Sequence, residues 1–340
     1  MLVGLVLSIV GLVVLSLAAD QFVRGAARLA VILRIAPIVV GAVVVGFGTS
    51  APELLVSALA AVNGRLDIGV GNIVGSNVAN ISLVLGTASF VAVVPVSSSV
   101  VRRDAAVSVA AVGLFALLVQ RDLTRLEGAL LLLALGAWFV LVLRGSRAAK
   151  SASSGAAADG DAGTDSDDDA GGEGHDGAGL AELEELVGES APSLGLETAR
   201  TLVSLALVAG SAYILVEGAE RVAEALDLSG GFVGYTMVAV GTSAPELVTA
   251  VAAARQRQTE LLVGNLLGSN VFNSLAVGGV IALVGPGPVG DVAVQTLGAG
   301  MMVVICVTSW ADMAIGHRVS RGDGVVLLAL WLVSIVLLAG

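Results

Sequence analysis

The sequence GTSAPEL occurs twice in this chain, as Gly48-Thr49-Ser50-Ala51-Pro52-Glu53-Leu54 and as Gly241-Thr242-Ser243-Ala244-Pro245-Glu246-Leu247. Each copy lies in a segment that is otherwise apolar and long enough to cross a lipid bilayer. A carboxylate at that depth is costly, so it usually faces a partner, water or an ion. Two copies of the same carboxylate therefore predict two half-sites that face each other.

A second pair of matching segments keeps the same spacing. Gly71-Asn72, Gly75-Ser76-Asn77-Val78 and Asn80 recur as Gly264-Asn265, Gly268-Ser269-Asn270-Val271 and Asn273. Thr49 and Thr242 are 193 positions apart, and so are Asn80 and Asn273. The chain is thus an internal duplication whose unit is about half its length.

The composition indicates a polytopic membrane protein. Hydrophobic residues make up 56% of the chain and charged residues 13%, with a mean hydropathy of +0.96. Apolar runs predict an all-α protein with ten transmembrane helices, five in each half. The predicted spans are 2–19, 38–62, 68–94, 105–119, 126–143, 202–216, 232–254, 261–284, 292–310 and 325–338.

An odd number of spans per repeat means that the second copy enters the bilayer from the opposite side, so the two five-helix repeats are inverted. With the N-terminus outside, 13 of the 17 Lys and Arg residues fall on the inner side. The positive-inside tendency therefore predicts a multi-pass protein of the cell membrane, with both termini outside and the central loop cytoplasmic.

The central loop divides the chain into three parts. Residues 1–143 form the first transmembrane repeat and residues 200–340 the second. Between them, residues 144–199 are rich in Ala, Gly, Ser, Asp and Glu and carry little apolar surface. Such a composition predicts an acidic, disordered cytoplasmic linker.

The residue types of the repeated motif predict a site for a hard cation. Ca²⁺ and Na⁺ prefer oxygen ligands, and each copy supplies a carboxylate, two hydroxyls and an amide carbonyl. Pro52 and Pro245 are expected to break their helices beside Glu53 and Glu246, which frees backbone carbonyls for an ion. Ser76 and Asn80 are four residues apart on one helical face, as are Ser269 and Asn273, and can complete the site.

Other functional classes fit the sequence less well. It shows no nucleophile with a base and no phosphate-binding loop, and His175 and His317 fall in loops, so an enzyme is not expected. No cofactor and no nucleic-acid partner are predicted. An oxygen-lined site could also belong to a cation channel, but inverted repeats with broken helices favour a carrier.

At these motifs the chain resembles the sodium/calcium exchanger family of the cation/calcium exchanger superfamily, in its prokaryotic and archaeal form. The resemblance implies that Glu53 and Glu246 are the central calcium ligands and that Thr49 and Thr242 contribute backbone carbonyls. It also implies that Ser50, Ser243, Ser76 and Ser269 assist flanking sodium sites, with Asn80 and Asn273 in the middle. The implied mechanism is alternating access, in which the first and sixth helices slide against an eight-helix core.

One departure from the family pattern affects the coupling ion. Some sodium/calcium exchangers carry an aspartate where this chain has Asn273, which leaves two carboxylates rather than three. Two carboxylates balance one Ca²⁺, two Na⁺ or two protons. The resemblance implies exchange of Ca²⁺ for Na⁺, and the charge balance leaves Ca²⁺/H⁺ antiport as the alternative.

Overall fold

A computed structural model describes residues 1–32, 50–158 and 193–339, and these residues are almost entirely helical. The helices of the first half are α1 (Leu2–Ile32), α2 (Ala51–Val62), α3 (Leu66–Val91), α4 (Ala106–Leu118) and α5 (Arg125–Ala158). Those of the second half are α6 (Leu194–Leu226), α7 (Gly230–Thr242), α8 (Ala244–Arg255), α9 (Thr259–Phe272, continuing to Val284), α10 (Val294–Gly316) and α11 (Arg321–Ala339).

The distribution of side chains is that of a membrane protein. Many Leu, Val and Ile side chains are exposed on the outside, whereas Glu, Asn and Ser side chains are buried within. Within the described residues, seven helices are long and apolar enough to cross a membrane, and the bent pair α7–α8 makes an eighth. The predicted span 38–62 is described only from residue 50, as the short helix α2, and span 105–119 corresponds to α4.

Helices α1 and α6, the first of each half, form an antiparallel pair. Gly4 of α1 lies against residues 218–222 of α6, Gly11 against residues 211–215, and Gly25 against residues 200–201. A Cβ atom at Gly11 would lie 2.7 Å from the backbone nitrogen of Leu215, so the two backbones are in close contact. The pair has a hydrophobic cluster of its own, to which residues of α2, α3 and α7 contribute.

The remaining helices pack around α3, which is almost entirely buried. Gly71 and Gly75 of α3 lie directly against the backbone of α7 at Gly231 and Tyr235, and the two helices run in parallel. A side chain at either glycine would overlap a carbonyl oxygen of α7. These glycines allow the half-helix that leads to the second GTSAPEL motif to reach the protein centre.

The contacts between the short segments that connect the helices agree with the predicted membrane topology. Two-residue strands β1 (Val94–Pro95) and β2 (Arg318–Val319) are antiparallel, and Leu123 forms an isolated bridge with Gly287. Arg65, in the turn between α2 and α3, forms ion pairs with Glu217 and Glu220 of α6. In each case the joined segments are ones that the predicted topology places on the same side of the membrane.

The helices beside the predicted linker extend into it. Helix α5 continues to Ala158, and α6 begins at Leu194 with the side chain of Ser193 as its N-cap. The Ala, Arg and Lys residues between 144 and 158 are strong helix formers, which explains the extension. Most of the acidic linker, residues 159–192, lies outside the described residues.

Candidate cation-binding site

The two GTSAPEL motifs lie where helices begin. In the second motif, α7 ends at Thr242 and α8 begins at Ala244, with a bend of 44° between them and Pro245 in the first turn of α8. This confirms the predicted helix break at Pro245, where the missing N–H ends the regular helix. In the first motif, α2 begins at Ala51 with Pro52 in its first turn, and the residues before Ser50 lie outside the described part of the chain.

The two glutamates are buried at these helix starts. Glu53 and Glu246 are each only 1% exposed. The Ser243 hydroxyl, from the second motif, donates to Oε1 of Glu53, from the first, at 3.5 Å. The two halves of the duplication therefore meet at the motif, as predicted from its repetition.

Thr242 connects the second motif to α3. Its hydroxyl donates to Oδ1 of Asn72 at 3.2 Å and lies 3.5 Å from the Ser76 hydroxyl. Asn72 in turn donates to the Ser57 hydroxyl of α2 at 2.9 Å. Asn72 thus joins the two repeats through hydrogen bonds and has the role of a structural link.

Asn80 and Asn273 lie at equivalent irregularities of α3 and α9. A π-helical segment covers Ala79–Val84 in α3, and another covers Asn273–Val277 in α9. The first packs against α8, which carries Glu246, and the second against α2, which carries Glu53. Single π-helical turns often occur at functional sites, because they rotate side chains out of the regular helical order.

Many polar atoms of this region have no hydrogen-bond partner among the described residues, although they are buried. A buried polar group of this kind costs free energy unless something else binds it. The atoms are Oε2 of Glu53, both carboxylate oxygens of Glu246, the hydroxyls of Ser50 and Ser269, Oδ1 of Asn77 and Asn80, and both amide atoms of Asn273. This donor set consists mainly of oxygens and fits a hard cation as the transported substrate.

The structure brings together most, though not all, of the predicted site residues. Glu53, Ser243, Thr242 and Ser76 are connected through direct contacts, and Glu246 is buried in the first turn of the helix that follows Ser243. Ser50, Ser269, Asn80 and Asn273 are also buried, and none of them forms a hydrogen bond to either carboxylate among the described residues. Thr49 lies outside the described residues.

Sequence reasoning did not assign three further polar residues of the region to the site. Asn77 and Asn270 are fully buried and hydrogen-bonded across the repeats, and Cys306 of α10 accepts from Asn270 at 3.7 Å. Asn77 and Asn270 belong to the repeated segments, so their repetition was a usable signal. Cys306 has no counterpart in that pattern, and only the packing of α10 brings it to Asn270.

A multi-span helical protein with a buried, oxygen-rich site between two repeats is a membrane cation transporter. The chain belongs to the sodium/calcium exchanger family, a family of transporters. The family model described as "Sodium/calcium exchanger protein" matches residues 3–144 and 197–340, which is nearly the whole of both halves.

Similar proteins span the same length. CaxA of Alkalimonas amylolytica is 33% identical over 331 residues, covering 96% of each chain. Sodium/calcium exchanger MaX1 of Methanosarcina acetivorans is 31% identical over 361 residues, covering 99% of this chain and 98% of its own. A structure of the sodium-calcium exchanger NCX_Mj, soaked with 100 mM Na⁺ and 10 mM Sr²⁺, matches with a TM-score of 0.60 and 25% identity over 98% of both chains.

Proposed function

We propose that this protein is a secondary active antiporter that exchanges Ca²⁺ for Na⁺ across the cell membrane by alternating access. The observation that carries the proposal is the cluster of buried oxygens around Glu53 and Glu246, several of them without partners among the described residues. Two charged carboxylates in a low-dielectric interior are unfavourable unless cations neutralise them. The relative MaX1 carries the name sodium/calcium exchanger, which supports the same choice of ions.

Within this proposal, the two glutamates bind Ca²⁺ directly. The Ser243 hydroxyl adjoins Glu53, and the Ser76 hydroxyl adjoins Thr242. At these positions both hydroxyls can assist Na⁺ binding. Ser50 and Ser269 would have the equivalent roles in the other half, and Asn80 and Asn273 would supply amide oxygens in the middle. Thr49 and Thr242 would contribute backbone carbonyls, as the helix break at Ser243 makes such groups available.

The proposed architecture is ten transmembrane helices in two inverted repeats, with both termini outside and residues 159–192 in the cytoplasm. The antiparallel packing of α1 on α6 supports it, because inversion requires the first helices of the repeats to run in opposite directions. The close backbone contacts of α1 with α6 at Gly4, Gly11 and Gly25 support movement of the pair as one body against the other helices.

Ca²⁺/H⁺ antiport is the second candidate, and Asn273 is the residue that favours it. With an amide at this position, two carboxylates are the only acidic side chains in the described part of the site. Two protons or two Na⁺ ions would balance their charge equally well on release of one Ca²⁺.

The test is uptake of ⁴⁵Ca²⁺ into proteoliposomes that are loaded with Na⁺ and diluted into Na⁺-free medium. Matched vesicles carry only a pH gradient, and a third set carries neither gradient. Uptake driven by the Na⁺ gradient is the expected result. Uptake driven only by the pH gradient would assign Ca²⁺/H⁺ antiport, uptake indifferent to both would indicate a channel, and no uptake would exclude Ca²⁺ as the substrate.

A further inference from the structure

A chain of amide hydrogen bonds connects Asn80 to helix α10. Nδ2 of Asn80 donates to Oδ1 of Asn270 at 3.2 Å. Nδ2 of Asn270 donates to the backbone carbonyl of Asn77 at 3.4 Å and to Sγ of Cys306 at 3.7 Å. All three side chains are buried, so water does not compete for these bonds.

The environment of Asn270 determines which way its amide points. Its nitrogen faces two acceptors, so a flipped amide would set its oxygen against the Asn77 carbonyl oxygen. Because Oδ1 of Asn270 can only accept, Asn80 must present its own nitrogen to it. Oδ1 of Asn80 then points away from Asn270 and has no partner among the described residues. A cation can bind this oxygen, whereas it would be repelled by the amide nitrogen.

The equivalent arrangement is missing in the other half. By the repeat offset, Asn77 corresponds to Asn270 and Asn273 to Asn80. Nδ2 of Asn77 donates instead to the Ser274 hydroxyl at 3.1 Å and to Sδ of Met302 at 3.4 Å. Oδ1 of Asn77 and both amide atoms of Asn273 have no partners among the described residues. The first repeat has Ile81 in place of Ser274, so only Asn77 has a neighbouring hydroxyl at this position.

We propose that Asn270, anchored by the Asn77 carbonyl and Cys306, is a positioning residue that orients the Asn80 amide so that its oxygen binds the transported cation. Asn273 has no such partner in the described part of the chain and contributes less to the affinity for the ion. The inference rests on the proposed function, since it assigns Asn270 to the same calcium site. Partners that orient a metal ligand typically contribute about 10- to 100-fold to metal affinity.

The test is a double-mutant cycle on the half-saturating Ca²⁺ concentration for ⁴⁵Ca²⁺ uptake, with Ca²⁺-dependent thermal stabilisation of the purified protein as a second readout. We expect Asn270→Ala to raise that concentration at least about tenfold. In the Asn80→Ala background the same change should have an effect of less than about twofold, because the oxygen that it orients is gone. The matched control is the symmetry-related cycle, Asn77→Ala with Asn273→Ala, whose effects should be additive.

A second variant covers the case in which Asn270→Ala does not fold. Cys306→Ala removes one of the two anchors and should raise the half-saturating Ca²⁺ concentration a few-fold, but only when Asn80 is intact. The control is Thr308→Ala, a half-buried position on the same helix, which should leave that concentration unchanged. Additive effects of Asn270→Ala and Asn80→Ala, or of Cys306→Ala and Asn80→Ala, would overturn the inference alone. If Ca²⁺ neither stabilises the wild-type protein nor is transported by it, the proposed function is overturned as well.

Discussion

At the scale of single residues, the site depends on two side chains that are expensive to bury. Glu53 and Glu246 each follow a proline in the first turn of a helix and are surrounded by hydroxyls and amides. The Ser243 hydroxyl, which lies 3.5 Å from Oε1 of Glu53, carries no charge. Under the proposed function, bound cations balance the charge of the pair, so each carboxylate should be necessary for transport.

Replacing either carboxylate with its amide should remove calcium transport without unfolding the protein. Glu53→Gln and Glu246→Gln keep the side-chain volume but remove one negative charge each, so ⁴⁵Ca²⁺ uptake should fall at least about 100-fold. Glu260→Gln is the control, because Glu260 is exposed at the start of α9 and away from the site. Uptake at the wild-type rate in a folded Glu53→Gln or Glu246→Gln protein would contradict the assignment.

The charge at position 273 should determine whether transport responds to voltage. With two carboxylates, exchange of one Ca²⁺ for two Na⁺ moves no net charge, so an imposed membrane potential should leave wild-type uptake unchanged. Asn273→Asp adds a third negative charge that a third Na⁺ can balance, so uptake by this variant should depend on the potential. The measurement is ⁴⁵Ca²⁺ uptake with the potential set by a K⁺ gradient and valinomycin. If uptake by the wild-type protein depended on the membrane potential, the two carboxylates would not limit exchange to two Na⁺ ions for each Ca²⁺.

At the scale of helices, the position of the second motif depends on the contact between α3 and α7. Gly75 has no room for a side chain, since a Cβ atom there would overlap the Tyr235 carbonyl oxygen and the side chain of Ala239. Farther along this contact, the Ser76 and Thr242 hydroxyls meet at 3.5 Å. The same close approach therefore sets both the packing of the helices and the geometry of the site.

Adding one methyl group at Gly75 should separate these helices. We expect Gly75→Ala to destabilise the protein by about 1–3 kcal/mol, the usual cost of overpacking, and to lower calcium affinity by displacing Thr242. Gly113→Ala is the matched control, since nothing described lies within 4 Å of a Cβ atom at that position in α4. Thermal unfolding in detergent and the half-saturating Ca²⁺ concentration measure the two effects. Equal results for the two variants would refute a tight contact at Gly75.

At the scale of the whole molecule, the proposed mechanism treats the α1/α6 pair as one body and the other helices as a second. The pair is joined internally by the ion pair between Arg28 and Glu197 at 3.1 Å. It is joined to the turn between α2 and α3 by Arg65 and Glu217 at 3.4 Å. These two ion pairs allow movement of the pair to be tested directly.

Crosslinks at the two ion pairs should have opposite effects on transport. A short bismaleimide that joins Arg65→Cys to Glu217→Cys connects the pair to the other helices and should block uptake. The same reagent on Arg28→Cys and Glu197→Cys joins α1 to α6 and should leave the activity of that variant unchanged. Each uncrosslinked variant serves as its own reference for ⁴⁵Ca²⁺ uptake. Continued uptake by the Arg65–Glu217 crosslinked protein would contradict movement of α1 and α6 as a pair.

The inverted topology also makes a prediction for two equivalent turns. Asn63 and Gln256 occupy matching positions after α2 and α8, and both are exposed. In intact cells a membrane-impermeant maleimide should label Asn63→Cys, and it should label Gln256→Cys only after the membrane is permeabilised. The parent chain, whose single cysteine Cys306 is buried, gives the background. Labelling of both positions from the same side would exclude inverted repeats.

The amino-acid sequence by itself determined the class of protein, the duplication, both glutamates and the helix break at Pro245. These features are local, because hydropathy, proline geometry and a repeated motif are each contained within a few consecutive residues. The same reasoning located the surrounding hydroxyls and amides of the repeated segments. The sequence did not determine which of these hydroxyls and amides contact one another.

Only the tertiary structure decided how the two halves meet. Ser243 reaches Glu53 from 190 positions away, and Asn270 orients Asn80 from the same separation in sequence. Such contacts depend on the close approach of helix backbones at glycines and on the π-helical turns at Asn80 and Asn273, which no local pattern encodes. An amide side chain can also present either oxygen or nitrogen to an ion, and its neighbours in the folded protein alone determine which.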